Sequence, residues 1–306
     1  MKTIQFSNYG DSSVLSLTDT DLPNVPDENV LIKVLATSIN PLDIKIRSGE
    51  MKDFMPVPLP FSPGLDVAGI VEMVGKKVST LKVGDKVFAT TFGATYSEFI
   101  SLNADTVCKM AERMSFIEAA AAAVPLTTSY SVLIEEGNLK PGQTALVHGA
   151  AGGVGHILIQ MAIDLGAKVI ATATGNGLQF ISSLGIDQAI DYKSDEQVGK
   201  IKGVDMVVDL VGGETQLESY QKIKPGGILL STVMPVSEEL AKEFGIMAKF
   251  VNATPSLEKL TYGKNSIERG AIKVKVFKEY QLQDAAEAQD FSSQKGINGK
   301  IVLNLG

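Results

Sequence analysis

Cysteine and histidine are nearly missing from this chain: Cys108 is the only thiol, and His148 and His156 are the only imidazoles in 306 residues. A single thiol cannot form an internal disulfide, which fits a reducing compartment. A structural zinc site of four cysteines is excluded, and no spacing of carboxylates suggests another metal site, so no metal is expected. Clustered positive charge is lacking as well. The 28 lysines and arginines face 35 acidic residues, a net charge of −7, and no basic block interrupts that average. Phosphate binding relies on clustered Lys and Arg, so a nucleic-acid partner and an anionic membrane surface are both disfavoured. Long apolar runs are missing too: Ala119–Val124 is too short to span a bilayer. The segment MKTIQFSNYGDSSVLSL alternates like a strand and has no signal-peptide core. A cytoplasmic location is expected.

What is present is a change of pattern along the chain. The first third reads as short strands punctuated by Gly and Pro, with strand segments at Val30–Ser38, Gly69–Val74, Lys86–Ala89 and Ser97–Ser101. From about residue 115 helices enter, first at Glu118–Val124 and then at Thr127–Glu136, ended by Gly137. A regular alternation follows: strand Thr144–His148, helix Gly153–Leu165, strand Lys168–Thr172, helix Leu178–Leu184, then strands Met206–Leu210 and Ile228–Thr232. Strands alternating with helices imply parallel βαβ units and a doubly wound sheet. Strand character returns at Ile272–Phe277 and Lys300–Leu303. An α/β fold is therefore expected, with a discontinuous β-rich catalytic domain over 1–114 and 270–306 around a Rossmann cofactor domain over 115–269.

The turn between the first strand and helix of that alternation carries the chemistry. Gly149-Ala150-Ala151-Gly152-Gly153-Val154-Gly155 follows a strand and opens an amphipathic helix whose Ile157, Leu158, Met161, Ala162 and Leu165 recur at helical spacing. In a dinucleotide fingerprint, Ala150 takes the first glycine position, Gly152 the second and Gly155 the third. A small second residue lets backbone N–H groups approach a pyrophosphate, and the third lets the helix pack against the strand. NAD sites usually place an acid about 20 residues further on, at the ribose 2′-OH. From Leu165 to Ile186 there is none, and Ala173, Thr174, Gly175 and Asn176 fill that turn. With no carboxylate to repel a 2′-phosphate, NADP(H) is the expected cofactor, although no Arg or Lys stands in the turn to clamp the phosphate.

Several ordered motifs extend the pattern over nearly the whole chain. They are Asn40-Pro41-Leu42-Asp43 with Arg47-Ser48-Gly49, Pro63-Gly64-Leu65-Asp66-Val67-Ala68-Gly69-Ile70-Val71, Val83-Gly84-Asp85-Lys86-Val87, Leu126-Thr127-Thr128-Ser129-Tyr130 and the Ala150–Gly155 turn. Together they resemble the zinc-independent quinone oxidoreductases of the medium-chain dehydrogenase/reductase superfamily, the group that includes zeta-crystallin. The resemblance implies a GroES-like catalytic domain beside the Rossmann domain. Zinc-containing relatives hold their metal with two cysteines and a histidine. Leu65 stands where the histidine would fall, and no cysteine lies near Asn40 or Val124. Without a Lewis acid, the easier substrates are already electrophilic, such as quinones and α,β-unsaturated ketones.

The same resemblance implies site residues. Gly152, Gly153, Val154 and Gly155 cradle the pyrophosphate, Thr127 lies near the nicotinamide, and Val211 and Gly212 close over its ribose. Tyr192 is either a contact to the adenosine ribose or its phosphate, or an exposed surface residue. Asn40 and Asp43 line the substrate side, Asp43 alternatively pairing with Arg47 four residues on. Lys45 stands where many quinone reductases have Tyr, a variation closer to the enone and alkenal reductases; it donates to a carbonyl or is simply solvated. Tyr130 reads as core or ligand contact, His148 as structural, and His156 and Cys108 carry no functional signal. A homodimer or tetramer joined near Lys249–Ala253 is implied. The expected activity is NADPH-dependent quinone reduction by direct hydride transfer. The alternatives are C=C reduction of enones and alkenals, and a redox sensor that binds NADPH without turnover.

Overall fold

The computed structural model describes residues 1–306. Apolar and β-branched residues of the first third build one sheet. Its spine is β3 (Asn29–Ser38), buried along most of its length because it has neighbours on both sides. A hairpin of β1 (Lys2–Gln5) and β2 (Ser16–Asp19) precedes it. β4 (Asp66–Val74), β5 (Lys86–Thr90) and β7 (Cys108–Lys109) follow antiparallel on one side of β3. On the other side, β6 (Phe99–Asn103) pairs with the first half of β3. Its second half takes β15 (Lys300–Asn304), through Val302↔Ser38, Leu303↔Thr37 and Asn304↔Ala36. β14 (Val276–Gln281) lies parallel on the far side of β15. The returning tail thus completes the first sheet.

The second sheet is wholly parallel and comprises β8 (Thr144–His148), β9 (Lys168–Ala173), β10 (Gln188–Asp191), β11 (Val204–Asp209), β12 (Ile223–Ser231) and β13 (Met247–Phe250). Its spatial order is β10-β9-β8-β11-β12-β13. Counted from β8 this is 3-2-1-4-5-6, the order of a dinucleotide-binding sheet, and it reverses between β8 and β11. Ligands of open α/β sheets bind in that crevice, outside the carboxyl ends of the strands.

Three helices place the site. α1 (Pro41–Ser48) starts from Asn40 with proline at its first position and ends at Gly49, whose φ of 84° suits glycine. α2 (Phe116–Tyr130) begins with a capping box between Ser115 and Glu118. Two helices are expected across this region, but the structure has one, running on as a π-helical turn over Ser131–Glu136. Pro125 lacks an N–H and normally breaks a helix. Here the helix runs through it, and the neighbouring Val124 N–H is taken by the Asp66 carboxylate at 2.6 Å. The combined segment, Phe116–Glu136, is long and apolar enough to cross a membrane by length and composition. It is instead a core helix: Ala119–Ala123 are fully buried, in one apolar cluster with Ala36 and Ala68 of the first sheet and Ala145 and Val147 of the second. Alanine's small side chain permits that close approach from both sides. α3 (Gly155–Asp164) buries Ile157, Leu158, Ile159, Met161 and Ala162 completely.

Candidate active site

The turn from β8 to α3 has its glycines for different reasons. A Cβ on Gly155 would lie 2.3 Å from the Gly149 carbonyl oxygen and 2.6 Å from Ala150 Cα, so the helix can approach the strand only without a side chain. A Cβ on Gly153 would meet the stem of Lys300. A Cβ on Gly152 would meet only the Gly149 oxygen, at 3.3 Å, a tight contact but a far milder one than at Gly155, and its other side is open. The N–H groups of Gly153 and Val154 have no acceptor within the chain. Two free donors at the first turn of a helix form a cradle for an anion, reinforced by the helix dipole. A dinucleotide pyrophosphate fits this arrangement.

The neighbouring loops face the same crevice. Asp209, at the end of β11, accepts the N–H groups of Val211 at 3.0 Å and Gly212 at 2.7 Å on one oxygen. Its other oxygen accepts Gln216 and Ser231. The carboxylate therefore shapes the loop that puts Val211 against Gly149. On the other side of β8, the N–H of Tyr192 donates to the Ala173 carbonyl at 3.1 Å. This brings Tyr192, half-exposed, beside the Ala173-Thr174-Gly175 turn at the end of β9. His148 is buried between the hydroxyls of Thr172 and Ser219; burial pulls its pKa down to about 4, leaving it neutral.

The substrate-side residues form a buried polar network. The Asn40 amide donates to Asp66 Oδ2 at 2.7 Å and accepts from Lys300 Nζ at 2.7 Å. Lys300 Nζ also donates to the Ile39 carbonyl at 2.9 Å and lies 3.5 Å from Asp66 Oδ2. Asp66 takes the Ser38 hydroxyl as well. Asp43 caps α1: Oδ2 accepts the Asn40 N–H at 2.9 Å and the Tyr96 hydroxyl at 3.2 Å, and Oδ1 accepts the Gly64 N–H at 3.0 Å. Burial still dominates and raises its pKa to about 7, despite these bonds and the Lys300 charge. Burial also raises the Tyr96 hydroxyl well above its ordinary value.

The structure thus brings Asn40 and Asp43 together, yet both are occupied by protein groups. Arg47 does not pair with Asp43; its Nε and Nη1 have no partner. Lys45 points to the surface and lies 3.4 Å from Glu50. Thr127 is buried, its hydroxyl donated to the Ala123 carbonyl at 3.0 Å. Tyr130 donates to Glu258 at 2.8 Å, which pushes its pKa up to about 12. Asp66, Tyr96, Asp209, His156 and Lys300 are the residues that sequence reasoning passes over. Asp66 lies inside a quoted motif, and a charged residue amid Leu65, Val67 and Ala68 in a buried strand is the signal that points to it.

Two family descriptions match the chain: an alcohol dehydrogenase GroES-like domain over residues 26–135 and a zinc-binding dehydrogenase over 184–303. No group of three His, Cys, Asp or Glu side chains suited to a metal ion occurs in the chain. The mouse protein called quinone oxidoreductase is 32% identical over 326 aligned positions, covering 100% of this chain and 98% of its own. A tomato 2-methylene-furan-3-one reductase is 36% identical over 252 positions, covering 77% of this chain and 63% of its own. The crystal structure of Escherichia coli quinone oxidoreductase complexed with NADPH superposes with a TM-score of 0.91 at 29% identity, covering both chains fully. Full-length identity at this level, the 3-2-1-4-5-6 sheet and the GroES-like partner sheet lead to one conclusion. The chain belongs to the zinc-independent quinone oxidoreductases of the medium-chain dehydrogenase/reductase superfamily.

Proposed function

We propose that this protein is an NADPH-dependent oxidoreductase that reduces quinones by hydride transfer. The observation that carries the reading is the pair of free N–H groups at Gly153 and Val154, on a turn open at Gly152 and placed where the strand order reverses. Gly152, Gly153, Val154 and Gly155 hold the pyrophosphate, with Ala150 buried beneath. Val211 and Gly212 flank the nicotinamide ribose, Thr127 lies toward the ring, and Thr174 and Tyr192 face the adenosine end. The β9–α turn offers no carboxylate against a 2′-phosphate. When bound, NADPH supplies a hydride from C4 of its nicotinamide. The chain's own work is orientation and exclusion of water. No group of three metal-ligating side chains converges to polarise a carbonyl, so acceptors that are already electrophilic are the easier substrates.

Enone or alkenal C=C reduction is the second reading, favoured by the tomato relative. Steady-state NADPH oxidation with 1,4-benzoquinone and with a simple alkenone, side by side, separates them. Higher kcat/KM with the quinone supports the first reading; higher kcat/KM with the alkenone supports the second, and binding without turnover of either leaves a nucleotide sensor. The reading includes a cytoplasmic homodimer without nucleic-acid or membrane partners. Edge strand β13, with Met247 55% and Phe250 50% exposed, supplies the joining surface.

A further inference from the structure

Two segments that follow the second sheet, at Lys275 and at Gly299–Lys300, hold the cofactor turn from outside it. The Gly299 N–H donates to the Ala151 carbonyl at 2.9 Å. His156 contacts the Gly152 carbonyl through Nδ1 at 2.9 Å and accepts the Lys275 N–H on Nε2 at 3.1 Å. An Nε2 that accepts leaves the proton on Nδ1, so His156 donates to Gly152. The carbonyl of a peptide points away from the next N–H; holding the Gly152 oxygen inward therefore aims the Gly153 N–H outward. Gly153 itself carries the Lys300 stem, close enough that a Cβ would fall 2.6 Å from Lys300 Cδ.

Lys300 continues past the turn to the substrate side. It is 5% exposed, and the three protons of its ammonium face the Ile39 carbonyl, Asn40 Oδ1 and Asp66 Oδ2. One side chain thus touches the phosphate turn with its methylenes and fixes the Asn40 amide with its charge. A buried Lys–Asp pair contributes little net stability compared with apolar residues of similar size, so packing alone gives no reason for it.

We propose that Lys300 is a positioning residue for hydride transfer, setting the distance between the cofactor turn and the Asn40 side of the site. The inference rests on the turn being the NADPH site. The exposed consequence is a coupled loss: without Lys300 the turn and the Asn40 loop adjust independently, and both affinity and the chemical step suffer.

The test compares wild type, K300R and the double variant D66N/K300M, which removes both charges of the Lys300–Asp66 pair. Three quantities are read on the full chain: thermal midpoint, Kd for NADPH by nucleotide fluorescence, and the isotope effect on kcat with NADPH deuterated at C4. The double variant is expected to fold, to bind NADPH about tenfold more weakly and to turn over quinone about tenfold more slowly, with a larger isotope effect. K300R is expected to restore Kd and kcat to within about threefold. A purely structural lysine would lower the thermal midpoint and the active fraction while leaving the isotope effect unchanged. Wild-type Kd and kcat in the double variant, or equal losses in K300R, overturn the inference. Failure of the wild type to bind NADPH overturns the underlying reading instead.

Discussion

Asp43 brings a carboxyl group into the interior at the first turn of α1, where burial raises its pKa from 3.8 to about 7. Between about pH 4 and about pH 7 the native chain holds a proton that the unfolded chain has released. The stability this residue contributes is therefore complete below about pH 4 and is lost as pH rises through about 7. His148 and His156 act in the opposite direction, because burial pulls both down to about 4; their contribution is complete above the ordinary histidine range and is lost on acidification. Comparison with a D43N variant isolates the aspartate. Urea titrations at several pH values are expected to show the wild-type stability, relative to D43N, declining from about pH 4 to about pH 7; a constant difference contradicts the assignment. Asn40 and Asp43 are legible in the sequence because they share one local motif. Lys300, which completes their network, lies 260 residues from Asn40, and no periodicity links positions so far apart. The Asp43–Arg47 spacing is likewise misleading: four residues on a helix permit an ion pair, but the capping geometry turns the carboxylate back onto the Asn40 and Gly64 N–H groups.

Elements with strong periodicity match the reading closely. Strand Thr144–His148 is found at its expected bounds, and the helix after the glycine turn starts two residues later than expected, at Gly155. With either start Gly153 and Val154 precede or open the first turn, where N–H groups have no intrahelical acceptor. The strand expected at Ile272–Phe277 begins only at Val276. Its upstream backbone is occupied by α3 side chains: Gln160 bonds both the N–H and the carbonyl of Lys273, and His156 takes the Lys275 N–H. Side-chain capture of backbone groups leaves no trace in a hydropathy pattern. The turn itself gives a paired prediction. G155A should lose about 1–3 kcal/mol of stability, because its Cβ meets backbone that cannot yield. G152A should keep its thermal midpoint and lose NADPH affinity, because the space it fills is on the cofactor side. Thermal melts with NADPH titrations check both, and parallel losses in the two variants would contradict the division of roles.

For the whole molecule, the class and the order of its parts are readable from composition, the strand–helix alternation and the returning tail. The assembly is not, because an edge strand looks the same in sequence whether or not a second copy covers it. Met247 and Phe250 on β13 give the proposed dimer a direct check: F250E is expected to shift wild-type dimer to monomer in analytical ultracentrifugation, with turnover per chain changed less than the sedimentation. A wild-type monomer contradicts it. The central claim, a hydride-transferring quinone reductase that selects NADPH, depends on a turn with free backbone donors and no carboxylate at the end of β9. Its most direct test is the initial rate of 9,10-phenanthrenequinone reduction with NADPH and with NADH under identical conditions. The account predicts turnover with kcat/KM about tenfold or more higher for NADPH, a preference of ~1.4 kcal/mol or more. Equal or faster turnover with NADH, or none with either nucleotide, would contradict it.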